Sequence, residues 1–133
     1  MKSSLFLVIA VVTTFVSASL HSFGASAEVT LNDGIYTAEQ AASGKPLFEQ
    51  NCSTCHNVDF YKNTLNTYNG QPVLYFYEAI MAGMPADNPG VLMENEYEDI
   101  LAHIFMLLGF PPGDQRLTYT SDRMLHTKVV PSP

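Results

Sequence analysis

Basic residues are scarce in this chain: of 133 residues only 6 are Lys or Arg, against 13 Asp or Glu. That balance excludes nucleic acid as a partner, because phosphate backbones are held by clustered cations. Cysteine is equally sparse, with 2 in all, both inside one five-residue stretch. No second paired motif is therefore available to complete a four-ligand zinc site. No alternating apolar and polar pattern is sustained enough to argue for a strand, and there are no repeats or low-complexity tracts. Nor does a stop-transfer pattern follow the N-terminal apolar run.

What is present begins with an export signal. Lys2 precedes an unbroken apolar run over residues 5–12, and its apolar character persists through Val16. Ala25, Ser26 and Ala27 then supply small residues for cleavage. The run is well short of the roughly 20 residues needed to span a bilayer, so residues 1–27 read as a cleaved signal peptide and not an anchor. The expectation is a periplasmic protein with no membrane span after cleavage. Its remaining length makes one small domain over residues 28–113, followed by an extended tail over 114–133. An apolar core of that size is modest, and a large bound cofactor would help it fold.

Local patterning gives an all-α reading. Residues 28–36 lack periodicity and read as a loose arm; Thr37-Ala38-Glu39-Gln40 then matches a capping box opening a helix to about Gln50. Ala41, Gly44, Leu47 and Phe48 form its apolar stripe, and Pro46 removes one of its backbone bonds. Residues 57–70 are rich in Asn and Thr and read as an irregular loop packed through Phe60, Tyr61, Leu65 and Tyr68. Pro72 suits the first turn of a short helix ending near Met81, after which Gly83, Pro85, Pro89 and Gly90 forbid regular structure. Tyr97, Ile100, Leu101, Ile104, Phe105 and Leu108 mark the last helix, which Gly109 stops. Glu94, Glu96, Glu98 and Asp99 crowd its first turns, where acids complement the helix dipole.

The chemistry lies in Cys52-Ser53-Thr54-Cys55-His56. Two thiols at this spacing can form thioethers to the two vinyl groups of haem, while the next residue faces the iron, so the run predicts one covalently bound haem c. Cys52 and Cys55 are the attachment residues and His56 the proximal axial ligand. Its second ring nitrogen is expected to donate to a backbone carbonyl in the following loop. A thioredoxin-type pair would expect a βαβ unit, which is lacking; zinc would need more ligands; a plain disulfide would need no histidine. For the distal iron ligand the methionines at 81, 84, 93, 106 and 124 compete. Met84 stands out, because Gly83 lets backbone approach a flat cofactor and Pro85 stiffens the position, whereas Met81 and Met106 lie on helix faces as core filler. His103 reads as a buried core histidine with a hydrogen-bond partner.

With these features the sequence resembles the class I c-type cytochromes. Gly44 and Phe48 stand eight and four positions before the first haem cysteine, and Met84-Pro85 precedes a C-terminal helix over residues 97–108. The resemblance implies that this helix crosses the first one around the haem. His103 occupies a position where the family often has an aromatic residue. More narrowly, Tyr68-x-Gly70-x-Pro72, Met84-Pro-x-x-x-Pro-Gly90, Glu96-Tyr97-x-Asp99-Ile100-Leu101-Ala102 and Gly109-Phe110-Pro111-x-Gly113 are similar to cytochrome modules of quinone-cofactor dehydrogenases that oxidise alcohols or sugars. Tyr68 replaces a usual Trp, Met93 a usual Ser cap, and the tail has no counterpart.

The functional expectation is an electron carrier and not an enzyme, because iron held by His56 and Met84 has no open position for a substrate. Its implied partners are redox proteins: a quinone-cofactor dehydrogenase as donor and another cytochrome or an oxidase as acceptor. A haem enzyme or gas sensor, needing a labile sixth ligand, is the competing class; a structural subunit with a stabilising haem is a third. The tail carries Arg116, Arg123 and Lys128 against Asp114 and Asp122, so it can lie on its own acidic domain or reach across to a partner.

Overall fold

The computed structural model describes residues 27–133, and the expected export signal lies outside that range except for Ala27. Helices account for the regular structure: α1 (Ala38–Asn51), α2 (Val58–Asn66), α3 (Val73–Gly83), α4 (Glu94–Leu107) and the short α5 (Asp122–His126), with a 3-10 turn at Leu31–Asp33. Among the described residues β-type pairing is confined to three isolated bridges. The all-α expectation holds.

Each helix start shows its local cause. The Thr37 hydroxyl accepts from the Gln40 N–H at 3.1 Å and opens α1. Only half of the expected capping box forms, however, because the Gln40 amide turns away from Thr37 toward the tail. There its Nε2 donates to the Leu117 carbonyl at 2.8 Å and its Oε1 accepts from the Leu117 N–H at 2.9 Å. Residues 58–66 are helical, not the irregular loop that their Asn and Thr content suggests. Asn57 serves as the cap, accepting from the Phe60 N–H at 2.8 Å, and the Thr64 hydroxyl folds back onto the Phe60 carbonyl. Buried Tyr61 and Leu65, four apart, anchor this helix to the core. Pro72 is the N-cap of α3 and not its first helical residue. At α4 the Glu96 carboxylate accepts from the Met93 N–H at 2.8 Å, which opens the helix where a Ser cap is missing.

The core is organised by the crossing of α1 and α4. Gly44 makes it possible: a Cβ there would lie 1.8 Å from the Asp99 carbonyl oxygen. Around that point Ala41 and Phe48 of α1 pack with buried Ile100, Leu101 and Ile104 of α4. The ring of His103 lies 5.2 Å from that of Phe48, filling the place of the usual aromatic.

Two segments depart from expectation. The arm is packed, with Leu31, Ile35 and Tyr36 fully buried and the Tyr36 hydroxyl donating to the Phe110 carbonyl at 2.6 Å. The tail is not simply extended, since it contains α5 and buries Leu117, Met124 and Val129 completely. Apolar residues at the right spacing, too few for a long helix, are fixed here by partners far away in sequence. Lys128 pairs with the arm, its N–H donating to the Val29 carbonyl at 2.8 Å, and Val129 exchanges backbone bonds of 2.9 Å with Gly70 and Gln71.

This docking reassigns two of the four acids at the start of α4. Glu98 and Asp99 are only 4% and 7% exposed. Glu98 accepts from the Tyr119 N–H at 2.7 Å, and Asp99 pairs with Arg116 at 2.6 Å. They receive the tail in addition to any service to the helix dipole. Burial pushes the Glu98 carboxyl upward, partly offset by the Tyr119 N–H. Removing the residues after Gly113 should therefore cost several kcal/mol, at about 1.5–3 kcal/mol for each fully buried aliphatic side chain. A drop of roughly 10 °C or more in the melting temperature of the haem-loaded protein is expected, with the haem still attached. An unchanged melting curve would show the tail to be an idle extension.

Candidate haem centre

The end of α1 flows directly into the cysteine motif. The Cys52 N–H and Ser53 N–H both donate to the Phe48 carbonyl, at 2.9 and 3.0 Å. The Cys52 carbonyl in turn accepts from the Cys55 and His56 N–H groups at 3.2 and 3.0 Å. One tight turn thus gathers both thiols and the imidazole at the tip of α1, and Asn57 immediately starts α2. Cys52 is buried and Cys55 exposed. Burial pushes the Cys52 thiol up, while the neighbouring Tyr61 hydroxyl acts in the opposite sense.

An apolar cleft of about 520 Å³, open mouth included, begins at this turn. Cys52, His56, Phe60, Tyr61, Thr64 and Tyr68 line it from the α1 and α2 side. Phe76, Ala79, Ile80 and Met84 line it from α3 and the segment that follows, with Ile100 and Ile104 contributed by α4. Another concavity is lined by Cys55, His56, Met84, Pro85 and neighbours. His56 and Met84 line both. A cleft walled by aromatic and aliphatic side chains, with the Cys52 thiol, an imidazole and a thioether as its donors and the Cys55 thiol beside His56 in the other concavity, fits a flat hydrophobic iron cofactor.

The other candidates are sorted by place. Met81 is partly buried and packed on the core, Met124 is the fully buried residue of α5 in the tail, and Met93 and Met106 are exposed. His103 is 4% exposed, and burial pushes its ring pKa down. The Ala41 backbone hydrogen-bonds the ring and opposes that shift, while Nδ1 has no partner within ordinary bonding geometry. The His56 ring stacks on Phe60 with centroids 4.1 Å apart. The carbonyls expected to receive its second nitrogen belong to a segment that is helical in α2.

Residues 39–104, from the first turn of α1 nearly to the end of α4, match the family described as cytochrome C oxidase, cbb3-type, subunit III. The chain is a monohaem c-type cytochrome. Its class carries covalently bound haem c and works by electron transfer, so it is an electron carrier with redox proteins as partners. No curated protein and no solved structure matches it. Among the described residues no helix is long and apolar enough to cross a membrane.

Sequence reasoning singled out Cys52, His56 and Met84, which line the cleft, and Cys55, which lines the other concavity with His56 and Met84. It missed Phe76, Ala79, Ile100 and Ile104 as lining, and the hydroxyl of Tyr97, which donates to the Met84 carbonyl at 2.6 Å. The helical spacing of Ile100 and Ile104 was a usable signal for burial, though not for burial against a cofactor.

Proposed function

We propose that this cytochrome shuttles single electrons in the periplasm through a haem held by thioethers to Cys52 and Cys55 and ligated by His56 and Met84. The observation that carries this reading is that Cys52, His56 and Met84, from two separate segments, line one apolar cleft. Bound there, the iron supplies one-electron redox chemistry, and a thioether ligand raises its potential relative to a second imidazole. The protein's own part is to orient the two ligands, to exclude water with Phe76, Ile100 and Ile104, and to leave one edge near Cys55 and Pro85 for partner contact.

A quinone-cofactor dehydrogenase is the donor in this proposal, on the sequence resemblance, and another cytochrome or an oxidase the acceptor. The export signal supports the periplasmic setting. With 13 acids against 6 bases, docking is steered by basic partner surface and weakens with salt.

Replacing Met84 by alanine should leave the haem attached, lower the reduction potential and open the iron to exogenous ligands. Met81→Ala should disturb packing only. Redox titration and carbon monoxide binding to the reduced proteins check this. If Met81→Ala is the variant that opens the iron, the ligand assignment is wrong.

A further inference from the structure

We infer that Tyr97 is a positioning residue for the distal iron ligand, its hydroxyl fixing the backbone of Met84 and so the reach of the Met84 thioether. The inference rests on the reading of Met84 as that ligand. Two backbone groups of Met84 are anchored to two different helices. Its N–H donates to the Ile80 carbonyl at 2.9 Å, which ties it to the end of α3. Its carbonyl accepts from the Tyr97 hydroxyl at 2.6 Å, which ties it to α4. The one further bond to that carbonyl, from the Gly90 N–H, is long at 3.5 Å. Without the hydroxyl, the Met84 carbonyl keeps only a marginal partner within an irregular, largely exposed segment.

The Tyr97 side chain is 2% exposed, so its aim is set by the core. It sits two residues before Asp99, the point where α4 rests on Gly44 of α1. From that contact α1 runs on to Cys52 at its C-cap. A continuous backbone path therefore links the attachment turn to Met84, through the helix crossing and one tyrosine hydroxyl. Groups that hold a metal ligand from behind are worth roughly 10–100-fold in ligand affinity, and Tyr97 has the geometry of such a group.

Tyr77 supplies a matched comparison. It is 1% exposed, and its hydroxyl also bonds the start of α4, donating to the Glu94 carbonyl at 3.3 Å, with no bond to Met84. Loss of either hydroxyl removes one hydrogen bond to a backbone carbonyl, and only one of them should reach the iron. The test uses full-length haem-loaded protein as wild type, Tyr97→Phe, Tyr77→Phe and Met84→Ala. Carbon monoxide association with the reduced protein, reduction potential and covalent haem content are measured. For Tyr97→Phe, association should rise by roughly tenfold or more, the potential should fall, and haem content should not change. Tyr77→Phe should match wild type in all three. Indistinguishable ligand binding and potential for the two tyrosine variants would overturn the inference. A wild type as open to carbon monoxide as Met84→Ala would instead sink the ligand reading beneath it, and the inference with it.

Discussion

Gly44→Ala should lower the stability of this cytochrome by about 3 kcal/mol, although a Gly to Ala change within a helix ordinarily stabilises it by up to about 1 kcal/mol. The reversed sign follows from what the new methyl group meets. It would stand 1.8 Å from the Asp99 carbonyl oxygen and 2.8 Å from the Ile100 nitrogen, both backbone atoms of α4 that no rotamer change can move aside. Relief requires α4 to shift bodily, and α4 carries Ile100 and Ile104 into the cleft. Against a total stability of roughly 5–15 kcal/mol, such a loss should depress the melting temperature by about 10 °C or more and reduce the yield of haem-loaded protein. Thermal melts followed at the haem band give the answer. A melting temperature equal to or above wild type would mean that the two helices do not meet at Gly44 in solution.

Gly44 also shows which parts of the molecule could be read before any coordinates. A glycine four residues ahead of Phe48, on the stripe leading to Cys52, carries its meaning locally: a helix face needing close approach. The same holds for the cysteine motif and for the irregular step around Met84. In each, the chemistry of a few neighbouring residues suggests a role without any distant partner.

Other features have no such local signature. Residues 58–66 look like a loop because Asn and Thr favour turns. They are helical because Asn57 caps them and because Tyr61 packs its ring 5.5 Å from Phe48. Gln40 reads as the fourth residue of a capping box, yet its amide finds a better use 77 positions away at Leu117, satisfying both backbone groups of a buried residue. Glu98 and Asp99 look like acids that serve only the helix dipole until the tail brings the Tyr119 N–H and Arg116 against them. In all three cases a tertiary partner overrides the local preference, and the partner's distance along the chain keeps it out of any window of sequence.

Changing both Cys52 and Cys55 to alanine should abolish covalent haem, while either single change should weaken it. Each thiol is proposed to add across one vinyl group, the sulfur bonding to carbon and its hydrogen passing to the neighbouring vinyl carbon. The tip of α1 presents both side chains beside His56 in one turn, Cys52 toward the core and Cys55 toward solvent, so they can reach different edges of the same ring. With both sulfurs gone, His56 and Met84 alone would hold the haem, and acid or denaturant would release it. Mass analysis of the denatured proteins should find one haem on the wild type and none on the double variant.

The most direct test of the account needs no variant at all. Digesting the denatured wild-type protein and weighing the peptide that spans Cys52 to His56 should find one haem mass added and neither thiol free to react with an alkylating reagent. Recovery of that peptide without haem and with two alkylated cysteines, or of the haem mass on any other peptide, would contradict it.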